Sequence, residues 1–233
     1  MNMPYYPIFL DLKDQKILVV GGGKVAERKI KNLLAYGCRI YIISTHFTPE
    51  LKQLVSENKV EDIPYESLET LMDDAFMIIA ATDDPKANTE IALQARKRGV
   101  LVNAVDQPRD CNFIMPSIVR QGDLQIAIST AGKSPALAKK IRKGMDKMFG
   151  PEYGSLVELL GLIRIKLLSL GQVSSKNKTI FQKLVDSDLL EMIKKRKLDK
   201  VKATLVYILG EDFPIDDIIK QVFKNKKITG IKG

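Results

Sequence analysis

A short apolar run at residues 16–20 delivers the chain directly into Gly21-Gly22-Gly23-Lys24-Val25-Ala26. No other feature narrows the possible folds so far. A parallel strand buried on both faces reads as such an unbroken run. Past the glycines, Val25, Ala26, Ile30, Leu33 and Leu34 fall near a 3.6-residue period, and Gly37 is placed to end the helix they predict. A Gly-x-Gly-x-x-Gly/Ala bend between a strand and a helix has a mechanical meaning. Gly21 permits the tight turn, Gly23 leaves room for a diphosphate against the backbone, and Ala26 lets helix and strand pack closely. The helix start offers unpaired N–H groups and a partial positive charge to the phosphates. Gly21, Gly22, Gly23, Lys24 and Val25 are therefore the expected coenzyme residues. The plainer alternative is a glycine turn that holds no ligand.

The first hundred residues continue this alternation. Residues 39–44 read as a second strand and 48–57 as a helix, with Thr48 capping it and Pro49 at its first position. A weaker strand follows at 60–65, a strong one at 76–81, a helix at 85–98 ending at Gly99, and a strand at 100–105. Repeated βα units imply a parallel sheet with helices on both faces. After Asp106 the pattern changes. Residues 113–119 and 124–129 look like two strands joined by Arg120-Gln121-Gly122-Asp123, and Ser134 caps a helix running towards Met148 with Pro135 at its first position. Gly150-Pro151 marks a boundary. Beyond it helices are expected at 156–170, 180–195, 198–209 and 215–224, and the basic tail 225–233 is expected to fray. The fold class is α/β: a Rossmann-like parallel-sheet domain over 1–112, a small α+β segment over 113–149, and a helical domain over 150–233.

Composition removes several functional classes. A single histidine, His46, cannot assemble a zinc site of the usual ligand count, and Cys38 and Cys111 stand far apart, as small buried hydrophobes would. The stretch 156–170 carries Glu158, Arg164 and Lys166 and is too short to span a bilayer, and residues 1–7 show no secretory pattern, so a cytoplasmic protein is expected. The net charge of +9 is uneven: residues 1–119 hold 14 Lys/Arg against 16 Asp/Glu, residues 120–147 hold 7 against 2, and the remainder 16 against 10. Nucleic acid, an anionic membrane or a polyanionic small molecule can each meet such a middle segment, and so can water alone around a solvated helix. A redox sensor that binds DNA is the alternative from another class. It requires a basic recognition helix, and Lys194-Lys195-Arg196-Lys197, the only dense basic run, looks like a helix end.

Ligands of open α/β sheets bind at the carboxyl ends of the strands. At the second strand's end stand Ser44, Thr45 and His46. The usual ribose carboxylate is missing there, their hydroxyls can still reach the ribose, and Arg39 lies too early in the strand to serve a 2′-phosphate. NAD and NADP therefore both remain open. His46 either stacks near the adenine or is a loop histidine with no role. After the next strong strand, Thr82 is placed to touch the coenzyme, and Asp83 or Asp84 to cap the following helix. Asp106 follows the last parallel strand. It is suited to accept the proton released as hydride leaves or to orient a ring nitrogen, or else closes an Asp-Gln-Pro turn on its own backbone.

Several segments together resemble the precorrin-2 dehydrogenases, including the dehydrogenase/ferrochelatase part of siroheme synthases. They are Pro7-Ile8-Phe9-Leu10-Asp11-Leu12, the stretch 21–29 (GGGKVAERK), 80–84 (AATDD), Val102-Asn103-Ala104-Val105-Asp106, 112–117 (NFIMPS) and 129–135 (STAGKSP). The resemblance covers roughly the first 150 residues and is loose thereafter. It implies oxidation of precorrin-2 to sirohydrochlorin with hydride passing to NAD+, and coenzyme contacts at Gly23, Lys24, Val25, Thr45 and His46. It also implies Asp106 as the key acidic residue, Thr130 beside the active site, and a homodimer in which the segment after Asn112 crosses into the partner. The substrate is a polycarboxylate tetrapyrrole, which gives Arg109, Arg120, Lys133, Lys139, Arg142 and Lys143 a role as a clamp. Some members also insert Fe2+ into sirohydrochlorin. The apolar positions of the helical tail, such as Leu156, Leu159, Leu160, Ile163 and Leu167, are expected to be core rather than a module for a partner enzyme.

Overall fold

The structure, a computed structural model, describes residues 5–171 and 174–224. It divides into two compact units. One runs to Met115 and includes Ala131–Lys133; the other holds Pro116–Thr130 and the chain from Ser134 onward.

In the first unit, β1 (Lys16–Val20), β2 (Arg39–Ile43), β3 (Glu61–Asp62), β4 (Met77–Ala80) and β5 (Leu101–Ala104) form one parallel sheet in the order β3-β2-β1-β4-β5. Four helices connect them: α1 (Lys24–Leu34), α2 (Pro49–Ser56), α3 (Leu68–Asp74) and α4 (Pro85–Lys97). Alternate side chains of the central strands serve two cores. Ile17, Val19, Ile42 and Ile79 pack with Ala26, Ile30 and Leu33 of α1 on one face. Leu18, Val20, Ile78 and Val102 pack with Met72 of α3 and with Ile91, Ala92 and Ala95 of α4 on the other. Each fully buried aliphatic side chain contributes roughly 1.5–3 kcal/mol relative to exposure. The run of apolar residues that made β1 legible is thus the floor of both cores. Cys38 and Cys111 are buried as expected, and burial pushes both thiols above their usual range.

Three elements depart from the sequence pattern for identifiable reasons. The weak strand expected at 60–65 pairs over Glu61 and Asp62 alone, because Pro64 has no N–H to extend the ladder. The chain turns there through a single 3-10 turn, Tyr65–Ser67, into α3. The sequence hid α3: it is seven residues long, Ser67 makes no cap bond, and only Leu68 and Met72 are buried. Residues Phe113 and Met115 do not begin a strand either. They pack against the core beneath α1.

In the second unit, β6 (Ser117–Gln121) and β7 (Leu124–Ile128) form an antiparallel hairpin whose turn holds Gly122 at φ 59°. Next comes α5 (Pro135–Met148), capped by Ser134, whose Oγ accepts the Leu137 N–H at 3.3 Å. Gly150 and Pro151 do open a helix, α6 (Pro151–Ser169), five residues earlier than its apolar stripe suggested. The helix expected at 180–195 is two, α7 (Ser174–Asp186) and α8 (Leu189–Lys194), broken at Ser187, whose hydroxyl turns back to the Leu184 carbonyl at 2.7 Å. Then follow α9 (Leu198–Leu209) and α10 (Ile215–Lys224). Leu159, Ile163 and Leu167 of α6 are buried with Leu184, Leu189, Val201 and Leu205, so the apolar face of the tail is core. The basic run 194–197 ends α8 at Lys194 and continues through the turn into α9, with Arg196 at φ 54°. Residues 225–233, expected to fray, lie outside the described residues. Among those described, no helix is long and apolar enough to cross a membrane.

Candidate active site

The site grows from the bend after β1. Gly21 adopts φ 117°, a conformation that disfavours any side chain, and its N–H donates to the Ile43 carbonyl at 2.8 Å. A Cβ on Gly21 would overlap the carbonyl oxygen of Ala81, and one on Gly22 would overlap the carbonyl oxygen of His46. Gly22 in turn accepts the Thr48 N–H at 3.1 Å. These two glycines therefore let three backbone segments close on one another. Gly23 differs: nothing lies within 4 Å of where its Cβ would stand. Thr48, Asp84 and Ser134 cap α2, α4 and α5, but no side chain caps α1, which begins at Gly23. The N–H groups of its first turn and the open space over Gly23 fit a diphosphate.

Above the bend lies a cleft of about 1120 Å³. That is beyond the usual size of a drug-like ligand site and suits a dinucleotide. All of the expected coenzyme residues line it: Gly21, Gly22, Gly23, Lys24 and Val25 from the bend, Ser44, Thr45 and His46 after β2, and Thr82 after β4. Asp106, after β5, lines it too.

An ion-pair network fixes the β2 side. Lys24 Nζ lies 3.1 Å from Glu27 Oε2 and 3.3 Å from Glu50 Oε2, and Lys31 Nζ lies 2.7 Å from Glu27 Oε1. Bonds from Lys31, from the Thr48 hydroxyl and from Lys24 hold the buried Glu27 carboxyl down to about 2. The same glutamates hold the Lys24 ammonium above its usual range, Glu27 most strongly. The first turn of α1 is thereby tied to the start of α2, and the loop between β2 and α2 is braced at both ends. Within that loop the hydroxyls already have partners. Ser44 Oγ donates to the His46 carbonyl at 2.8 Å, and Thr45 Oγ1 lies 2.9 Å from His46 Nδ1. Arg39 is held away from the cleft end of its strand, with Nε and Nη2 on the Asp14 carbonyl at 3.1 and 2.9 Å.

On the β4–β5 side, Thr82 is gripped by Asn88. The Thr82 N–H and hydroxyl donate to Asn88 Oδ1 at 3.0 and 2.8 Å, and Asn88 Nδ2 donates to the Thr82 carbonyl at 3.1 Å. Asp84 is the capping aspartate, accepting the Lys86 N–H at 2.8 Å, while Asp83 lines the cleft. Asp106 sits at φ 59°, a left-handed conformation that costs a non-glycine residue about 1 kcal/mol or more. Neighbours hold it there. Gln107 Nε2 donates to the Pro85 carbonyl at 2.7 Å, Thr89 Oγ1 donates to Gln107 Oε1 at 2.7 Å, and the Cys111 thiol lies within 3.4 Å of the Ala104 and Gln107 carbonyls. The turn expected at Asp106 exists, but Gln107 and Cys111 close it. Among the described residues the exposed Asp106 carboxylate has no hydrogen-bond partner, which leaves it free for chemistry.

The basic residues are dispersed. Arg109 and Lys133 belong to the same unit as the cleft, are exposed, and do not line it. In the other unit, Arg120 reaches the Gly122 carbonyl at 3.5 Å, Arg142 pairs with Asp146 on α5, and Lys139 and Lys143 are exposed on the same helix. Thr130 Oγ1 accepts the Ser134 N–H at 3.0 Å and closes the loop before α5. Sequence reasoning missed Glu27, Asn88 and Asp62. Asn88 carried a usable signal, since it occupies the stripe Asn88, Ile91, Ala92, Ala95 where an apolar residue belongs. Glu27 looked like an ordinary first-turn acid, and Asp62 like part of an edge strand.

This geometry defines a dinucleotide-binding domain with an exposed carboxylate at the β5 edge of its cleft. Residues 8–117 match the family described as NAD(P)-binding, and residues 121–148 the family described as sirohaem biosynthesis protein, central. A siroheme synthase from Serratia proteamaculans is 39% identical over 159 residues, 68% of this chain and 33% of that protein. Another, from Thioalkalivibrio sulfidiphilus, is 32% identical over 221 residues, 95% of this chain and 45% of that one. The chain thus spans a third to a half of the length of these relatives. A solved structure titled "SirC, precorrin-2 dehydrogenase" is 26% identical with a TM-score of 0.67, covering 85% of this chain and 100% of its own. The chain belongs to the precorrin-2 dehydrogenase/siroheme synthase family.

Gly23→Ala keeps the thermal midpoint of the unmodified protein and weakens NADH binding by about tenfold or more, because its methyl enters the diphosphate space. Gly22→Ala instead loses about 1–3 kcal/mol in denaturant unfolding, because its methyl meets backbone. The folded protein holds the Glu27 carboxyl below the ordinary value of 4.5, so its contribution to stability is complete above that pH and disappears as pH falls towards about 2. Glu27→Gln is less stable at neutral pH, and its melting temperature is flatter than that of the unmodified protein between those two values. Equal slopes in an acid titration of the melting temperature count against the network.

Proposed function

We propose that this chain oxidises precorrin-2 to sirohydrochlorin, with hydride passing to NAD+. One observation carries the assignment: a single cleft joins an uncapped glycine bend, suited to a diphosphate, with a carboxylate two strands away that no other described residue engages. The solved dehydrogenase that this chain overlaps along its full length supports the choice of substrate.

The chemistry balances simply. The reduced macrocycle loses one hydride and one proton and gains one carbon–carbon double bond; bound NAD+ supplies the hydride acceptor. Asp106 takes the proton on its carboxylate and, being exposed, passes it to water. Gly23 and the first turn of α1 hold the diphosphate. Lys24 adds a positive charge there that Glu27 and Glu50 largely neutralise. Lys139, Arg142 and Lys143 stand at i, i+3 and i+4 on α5 and face one way. With Arg120 of the same unit they suit carboxylates of the tetrapyrrole, as Arg109 and Lys133 of the first unit each do, and Thr130 shapes the loop leading to that helix.

Residues 113–149 are inferred to form the contact between two copies. The exposed Leu137, Ile141 and Met148 along α5 support this, since they make an apolar stripe on the face of the helix opposite the basic one. The name siroheme synthase, carried by the relatives, favours a second reading in which the Asp106 carboxylate also serves Fe2+ insertion into sirohydrochlorin. Metallation measured without NAD+ separates the two.

Mixing the protein with precorrin-2 and NAD+ should produce NADH and sirohydrochlorin in equal amounts, followed together by absorbance. NADH formation without sirohydrochlorin, or neither, removes the assignment. Asp106→Asn binds NADH normally and loses turnover by about a hundredfold or more; near-normal rates take Asp106 out of the mechanism. The double change Lys139→Ala, Lys143→Ala raises KM for precorrin-2 several-fold, each lost solvent-exposed charge contact contributing about 0.2–1 kcal/mol, and leaves the Kd for NADH unmoved. Equal effects on both contradict the clamp.

A further inference from the structure

The sheet order sets the glycine bend in the middle of the cleft, with Asp83 and Asp106 on the β4–β5 side and Asp62 on the β2–β3 side. Among the described residues lining the cleft these are the only carboxylates. A dinucleotide laid across the bend puts its adenosine ribose over the end of the second strand, where a carboxylate ordinarily receives the ribose hydroxyls. Here that end offers Ser44 and Thr45, whose hydroxyls are engaged with His46 inside the loop. The neighbouring strand supplies what is missing. Asp62 pairs in register with Ile42, one residue short of the end of β2, and its side chain is exposed on the cleft wall. Among the described residues it has no ion-pair or hydrogen-bond partner.

The cations that a 2′-phosphate needs are also accounted for. Arg39 is committed to the Asp14 carbonyl, and Lys24 is shared between two glutamates. We propose that Asp62 selects NAD+ over NADP+, its carboxylate accepting the ribose hydroxyls of the first and repelling the 2′-phosphate of the second. The proposal rests on the coenzyme site assigned above and adds to it the residue that sets its selectivity. β3 is thus more than a stub that Pro64 cut short: its last residue, Asp62, supplies the ribose acceptor that β2 lacks.

Fluorescence titration of the full chain with NADH and with NADPH tests this without relying on turnover. Asp62→Asn should shrink the ratio of the NADPH Kd to the NADH Kd by about tenfold, and Asp62→Lys should shrink it further by tightening NADPH. Asp83→Asn removes a charge from the other side of the same cleft and should leave the ratio within about twofold. Thermal midpoints report that the variants fold, as an exposed edge residue permits. A ratio unmoved in both Asp62 variants overturns the proposal while the coenzyme site stands. So does an equal shift in Asp83→Asn, which makes the effect one of overall charge. An unmodified chain that binds no NADH overturns the coenzyme site itself, and the proposal with it.

Discussion

Three backbone segments meet at the glycine bend with no space left for a methyl group. The missing Cβ of Gly21 lets the bend sit on the Ala81 carbonyl, and the missing Cβ of Gly22 lets it sit beneath the His46 carbonyl. That approach sets how β4 leaves the sheet, how the loop after β2 closes, and where α1 starts. The Gly21 N–H to Ile43 and the Thr48 N–H to Gly22 then hold the three together. The loops that follow β2 and β4 are positioned from this junction, and of its three glycines only Gly23 faces open space.

The charges around the junction divide by burial. Glu27 is buried and triply bonded, so its carboxylate is a brace between α1 and α2 rather than a reagent. Asp84 is spent on a helix start. Asp62 and Asp106 stay exposed at opposite ends of the cleft, with no side-chain partner among the described residues. A carboxylate within a network resists protonation and holds its shape, whereas an exposed one can accept a proton or a hydroxyl. The first kind keeps the loop after β2 in place, and the second kind is left open towards the cleft.

Asp106 illustrates how local strain is sustained. Its left-handed backbone is unfavourable on its own, yet Gln107 is anchored to the start of α4 and Cys111 lies beneath the turn. Thr82, the other residue at this edge, is fixed by Asn88 from the same helix. One face of α4 therefore serves the sheet core with Ile91, Ala92 and Ala95, and its first turn serves the site. Packing and site geometry share a single element.

Most of the fold was legible in the chain because it rests on local chemistry. The apolar run before the glycines, the Thr48-Pro49 and Ser134-Pro135 helix starts, and the glycines closing α1 and α4 are patterns of neighbours in sequence. They determined a parallel α/β domain, a bend made for a diphosphate and an acid at the far edge of the sheet. Only the tertiary structure decided which residues share the cleft. The break between α7 and α8, the partners of Ser44 and Thr45, the burial of Glu27 and the arrival of Asp62 beside the end of β2 all depend on segments brought together across the sheet. Side-chain spacing along a strand or helix records which face is apolar. It carries no record of which distant polar groups will meet there, because those meetings are set by strand order and packing rather than by any neighbour in the chain.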